Sequence, residues 1–201
     1  NAGKIAFLFV LLLGVPPSVA APAVSDWPMW RYDAGRSASS PGNLPDAIRL
    51  LWVRRYPARI QVWDDPLNRD LMPYDRVFEP VVAGKTLLVG FNDTGKVSAI
   101  DTDSGAEKWT FYTDGPVRLP PAVEKGRAYV TCDDGFLYCL DLRDGALVWK
   151  FSGAPENTKI LGNARLVSAW PARGGAVVRD GVVYFAAGIW PFMGVFMYAL
   201  D

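Results

Sequence analysis

The stretch AIDTDSGAEKW, from Ala99 to Trp109, returns as CLDLRDGALVW from Cys139 to Trp149, and a third copy opens at Ala199-Leu200-Asp201, where the sequence stops. Self-similarity at a period of about forty residues restricts a chain to a row of like units, each too small to bury its own apolar faces.

The residues inside each copy favour strands. Arg127 to Cys132 is β-branched and aromatic, Asp133-Asp134-Gly135 is a tight-turn signal, and Phe136 to Leu140 returns as the hairpin partner. Asp141 opens a second turn closed by Gly145, and Ala146 to Phe151 forms an outer strand carrying Trp149. The first copy follows the same plan: Lys85 to Phe91, a turn at Asn92 to Gly95, Lys96 to Asp101, a turn through Gly105 and a strand with Trp109. The third has Gly175 to Val178, a turn at Asp180-Gly181, Val182 to Ala186 and Val195 to Asp201. Half of the residues are hydrophobic, and none of the longer stretches carries them at helical spacing. The expectation is an all-β protein: a β-propeller of four-stranded antiparallel blades, with a Trp at a fixed place as the plug between neighbours.

A propeller closes with about four to eight such blades. The 201 residues hold three recognisable repeats, about 76–115, 118–152 and 173–201, plus part of a closing one around Leu50 to Tyr56. The chain opens on Asn1, and the propeller, spanning 50–201, is expected to be incomplete, with three to four blades present and truncated at the C-terminus. Residues 1–20 form a signal peptide: Lys4, an apolar run from Ile5 to Val15, and a small-residue cleavage site at Ser18-Val19-Ala20. Export to the periplasm or the outside follows, with no membrane span after cleavage; residues 21–49 are a lead-in segment. Net charge is zero and no basic cluster recurs, which speaks against nucleic acid as a partner.

The pattern at Ala99, Asp101, Gly105 and Trp109, kept as Asp141, Gly145 and Trp149 in the second copy, resembles the tryptophan-docking repeat of pyrroloquinoline-quinone-like (PQQ-like) β-propellers. The first copy has Ser104, and the second Asp144, where that family has Thr; the second also has Cys139 for Ala. Asp26-Trp-Pro-Met-Trp-Arg31 is similar to the lead-in of its secreted bacterial members. The resemblance implies the superfamily that holds quinoprotein alcohol dehydrogenases and an outer-membrane assembly subunit. In those dehydrogenases a vicinal Cys-Cys disulfide and a calcium site hold the quinone. Cys132 and Cys139 are not vicinal, and no acidic and amide set matches the calcium ligands. No cofactor is expected in this stretch, with PQQ and calcium open to it only if further blades supply the site.

The absence of His removes Ser-His-Asp and Cys-His pairs, His-bearing zinc sites and the commonest general base, and no catalytic residue is assigned. Alignment on the hairpin glycines Gly84, Gly126 and Gly181 puts Arg76, Arg118 and Arg173 eight residues upstream of each. Three guanidinium groups at like stations would form a collar for an anionic ligand, or would pair with carboxylates of neighbouring blades such as Glu79 or an Asp of the adjoining loop. A register one residue different is also open, because Pro80 and Pro121 fall at different offsets. For the two thiols, a two-residue turn at Asp134-Gly135 makes them diagonal neighbours on one face, and a three-residue loop puts them on opposite faces. Insertions at 57–75, with Trp63, Asp64, Asp65, Arg69 and Tyr74, and at 152–172, with Asn157, Lys159, Asn163, Arg165 and Trp170, suit a carbohydrate or a peptide. The functional expectation is an exported, non-catalytic binding or assembly scaffold with a protein partner or a small anionic or carbohydrate ligand. The alternatives are a PQQ-dependent dehydrogenase and a sensor or carrier propeller joined to a catalytic domain.

Overall fold

The computed structural model describes residues 26–57, 78–162 and 165–201. The first repeat is β1 (Val81–Ala83), β2 (Thr86–Phe91), β3 (Lys96–Asp101) and β4 (Glu107–Tyr112); the second is β5 (Ala122–Glu124), β6 (Arg127–Thr131), β7 (Phe136–Asp141) and β8 (Leu147–Ser152). A hairpin of β9 (Lys159–Gly162) and β10 (Arg165–Ser168) follows, then the third repeat: β11 (Val177–Arg179), β12 (Val182–Ala187) and β13 (Phe196–Leu200). The first two repeats are four-stranded antiparallel meanders and the third contributes three strands. Between sheets the first strands meet, β1 with β5 and β5 with β11, as the inner strands of consecutive propeller blades do.

Alternation along the strands sends apolar side chains to both faces of each sheet, and the sheets stack to bury them. Val97, Ala99 and Trp109 of the first sheet pack against Ala128, Val130, Tyr138 and Leu140 of the second. The opposite face of the second sheet, with Ala122 and Leu137, meets Val178, Val183 and Phe185 of the third. The aromatic rings of Phe151, Phe185 and Tyr198 join this second core, with Tyr198 stacked on Phe185 at 5.1 Å.

The inner hairpins show a change of turn type with consequences for alignment. In repeats two and three the two turn residues, Lys125-Gly126 and Asp180-Gly181, all have positive φ, the pattern of a type I′ turn with Gly second. In repeat one the turn is Gly84-Lys85, with Gly84 at φ 55 and the glycine first, as a type II′ turn requires. Gly84 therefore corresponds to Lys125, not Gly126, and Pro80 falls in line with Pro121 ahead of the inner strands.

The β6–β7 loop takes the three-residue register. Tyr129 pairs with Cys139 and Val130 with Tyr138, while Cys132 closes the loop by donating its N–H to Phe136 O at 3.1 Å. Cys132 and Cys139 thus project to opposite faces, and both are buried free thiols. Burial pushes the Cys132 thiol well above its ordinary range and raises that of Cys139. Neither should be alkylated by iodoacetamide in the native protein at about pH 8, and both should react once urea unfolds it; fast native labelling, or a protein lacking two free thiols after denaturation, would contradict this arrangement.

The lead-in crosses the inner strands. Trp27 exchanges backbone hydrogen bonds of 2.8 Å with Val82, Val123 N–H donates to Pro28 O at 2.7 Å, and Met29 is buried in the second core. Arg36 then reaches Gly175 O, at the entrance to the third repeat.

Candidate functional site

Each outer turn is organised by its Asp and its Gly. Asp101 Oδ1 accepts from the backbone N–H groups of Asp103 and Ser104 and from the Ser104 hydroxyl, at 2.8 to 3.1 Å. Those hydrogen bonds hold the Asp101 carboxyl below its ordinary value. Asp141 accepts from Arg143 N–H at 2.9 Å and from Arg127 Nη1 at 2.8 Å, and its carboxyl is likewise lowered. Gly105 and Gly145, at φ 70 and 74, each return an N–H to the carbonyl of that Asp at 2.9 Å.

On these turns lie indoles from earlier in the chain, Trp109 from β4 and Trp52 from the segment ahead of the first sheet. Trp109 is 8% exposed, donates from Nε1 to Leu142 O at 3.0 Å, and covers Gly145 so closely that a Cβ there would meet its ring at 2.6 Å. Trp52 repeats the arrangement one repeat earlier, donating to Thr102 O at 2.8 Å and covering Gly105 so closely that a Cβ there would also meet its ring at 2.6 Å. Trp149, the third indole of the series, is half-buried against Tyr129 in the second core. It forms no indole hydrogen bond among the described residues. Asp201 stands where Asp101 and Asp141 stand, so a turn equivalent to those under Trp52 and Trp109 is not among the described residues.

The arginine stations give one compact cluster. Arg118 and Arg173 are equivalent by strand register and converge on a single carboxylate, Asp133, in the β6–β7 loop. Arg118 Nε donates to Oδ2 at 2.7 Å; Arg173 donates from Nε to Oδ1 and from Nη2 to Oδ2, both at 2.8 Å. The Asp133 side chain is 1% exposed, that of Arg118 11% and that of Arg173 28%. Asp133 is further fixed by its backbone, donating to Pro116 O at 2.9 Å and accepting from Ser168 N–H at 2.8 Å. Asp134 beside it accepts from the Tyr138 hydroxyl, and burial first, then that hydrogen bond, raises the phenol far above its ordinary value. Arg76 lies outside the described residues.

Of the insertions, Trp63, Asp64, Asp65, Arg69, Tyr74 and Asn163 lie outside the described residues. Trp170 is 9% exposed and donates to Met193 O at 2.8 Å, so it serves packing between the β9–β10 hairpin and the third repeat. Sequence reasoning missed Asp133 as a shared anchor, because a DDG triplet reads as turn chemistry; the signal was its place between two like arginine stations. It missed Trp52 as well, because Trp52 precedes Gly105 by 53 residues where Trp109 precedes Gly145 by 36, and the longer intervening stretch hides the match.

Among the described residues no three His, Cys, Asp or Glu side chains stand together in a way that could hold a metal ion. Asp133 is bonded to two guanidinium groups, and the two free thiols face opposite sides of their sheet. No helix among them is long and apolar enough to cross a membrane.

A family model described as outer membrane protein assembly factor BamB matches residues 52–187, more than half of the chain. No curated protein matches. Among solved structures, the chain is similar to the quinohemoprotein alcohol dehydrogenase from Comamonas testosteroni, at 22% identity and a TM-score of 0.56, over 88% of this chain and 25% of that one. It is similar to a europium-containing methanol dehydrogenase at 17% identity and a TM-score of 0.55, over 81% of this chain and 27% of that one. BamB from Moraxella catarrhalis aligns at 17% identity and a TM-score of 0.35, over 59% of this chain and 50% of that one. The chain thus spans about a quarter of each of these two dehydrogenases and half of that BamB. The dehydrogenase likenesses are those of fold, and the meander order of the sheets agrees with them. With its consecutive blades and the family match across them, the chain belongs to the PQQ-like β-propeller repeat family.

Proposed function

We propose that this chain is part of an exported PQQ-like propeller that works as a non-catalytic binding or assembly scaffold. The observation that carries the reading is the engagement of Arg118 and Arg173 by Asp133. Two like stations that could have offered charge to a ligand are tied to one buried carboxylate, and they bind the segments entering repeats two and three to the loop between them. The polar chemistry of the described blades serves cohesion between repeats. Binding then falls to exposed loops and to a protein partner or a small anionic or carbohydrate ligand, as repeat folds commonly arrange it. Export rests on the apolar N-terminal run with its lysine and small-residue cleavage site.

Calorimetric titration of the full-length protein with pyrroloquinoline quinone and calcium tests the reading against a quinoprotein dehydrogenase. No stoichiometric heat is expected. A one-to-one complex at micromolar affinity, about −8 kcal/mol, would replace the scaffold with the enzyme.

A further inference from the structure

The densest group of left-handed non-glycine residues in the described chain is neither in a blade nor at the Asp133 cluster. Four of the six non-glycine residues with positive φ fall within one short loop of the lead-in: Arg31 at 56, Tyr32 at 81, Arg36 at 58 and Ala38 at 54. Non-glycine residues hold this conformation only where their surroundings enforce it, and such strain gathers at binding sites. Here the enforcement is visible. Ala38 N–H donates to Arg31 O at 2.9 Å, and the Asp33 carboxylate accepts from Ser37 N–H at 2.9 Å and its hydroxyl at 2.7 Å. Arg36 donates to Trp30 O at 2.8 Å with its guanidinium 4.9 Å from the Trp30 ring, and Tyr32 meets Trp27 edge-on at 5.2 Å.

This locked loop forms one wall of a cavity of about 480 Å³, whose lining includes Trp27, Trp30, Arg31, Glu79, Pro80 and Pro120. The volume is that of a small-molecule site. Two indoles and two prolines supply flat apolar walls, and one guanidinium and one carboxylate supply the polar contacts. Among the described residues neither the Arg31 nor the Glu79 side chain has a hydrogen bond or an ion pair. The two charges line the same space with no ion pair between them, each acting at longer range on Arg36, and the left-handed backbone fixes where Arg31 starts from.

We propose that this pocket binds a sugar carrying a carboxylate, a uronic acid or a chain end bearing one. The C–H face of a pyranose ring, slightly positive, suits the negative face of an indole. A guanidinium matches a carboxylate with two parallel hydrogen bonds, and Glu79 accepts from ring hydroxyls. The site involves neither Asp133 nor its arginines; the inference rests on the binding role proposed above and names a ligand for it, while the quinone titration tests that role separately.

The test is a titration of the full-length protein with D-galacturonate and, as the uncharged counterpart, D-galactose, followed by calorimetry and by indole fluorescence. Galacturonate should bind saturably and quench or shift the indole emission, with galactose at least about tenfold weaker. Arg31→Ala should bring galacturonate to the level of galactose while leaving the melting temperature unchanged, since the substitution keeps the backbone carbonyl that accepts from Asp33 and Ala38 and removes a side chain with no bond among the described residues; Arg31→Lys, with the charge but not the fork, should fall between. Glu79→Gln should weaken both sugars. Equal binding of the two sugars, no binding of either, or full galacturonate affinity in Arg31→Ala would overturn the proposal. So would inorganic phosphate displacing galacturonate at equal affinity, which would mark a bare anion site.

Discussion

Trp109→Ala should lower the unfolding free energy of the full-length protein by about 3–5 kcal/mol, the cost of emptying a large aromatic site in a packed core. The indole fills the space between the first two sheets, covers the Gly145 turn and satisfies the Leu142 carbonyl, so truncation removes packing and a hydrogen-bond donor together. The contact can be attacked from the other side. A methyl group at Gly145 would lie 2.6 Å from the Trp109 ring, at a φ of 74 that disfavours any side chain, so Gly145→Ala should also destabilise strongly. Combined, the two substitutions should cost less than the sum of their separate effects, because one contact is lost once. An unchanged denaturation midpoint for Trp109→Ala would show that the blades cohere without the indole.

Asp133→Ala should be comparably damaging, at about 3–5 kcal/mol, because it removes the buried carboxylate that both guanidinium groups share. Arg173→Ala should cost less, about 1.5–3 kcal/mol, since Asp133 keeps its bond to Arg118 and the vacated side of Arg173 is partly solvated. The ranking Asp133 above Arg173 is the informative result. It should also persist in high salt, where exposed ion pairs such as Lys85 with Asp103 fade. Equal losses for the two variants would mean that the carboxylate is not the shared centre. Chemical denaturation monitored by indole fluorescence reads all of these variants.

The fold was legible because the repeat writes the same instructions more than once. Asp, Gly and Trp at fixed spacing say where a turn closes and where an indole must lie, and the second copy corroborates the first. The inner hairpins were less legible. A glycine marks each, but type I′ and type II′ turns place it second and first, so alignment on glycines slips repeat one by one residue. Strand pairing, which depends on contacts across the sheet, was needed to see it. The number of residues in the Asp133 loop was undecidable for the same reason, and with it the faces to which Cys132 and Cys139 turn. The lead-in site was invisible for another reason: its strain is a property of φ, and ordinary residue types such as Arg31, Tyr32 and Ala38 announce no left-handed backbone.

The lead-in also alters how such an array comes apart. In a linear row of repeats each unit is coupled to its immediate neighbours alone, so the end unit can melt first and leave the rest intact. A strap that bonds to Val82, Val123 and Gly175 couples the first repeat to the third directly. Loss of one blade then loosens an attachment shared by the others, and the three repeats gain a cooperativity that nearest-neighbour stacking does not supply.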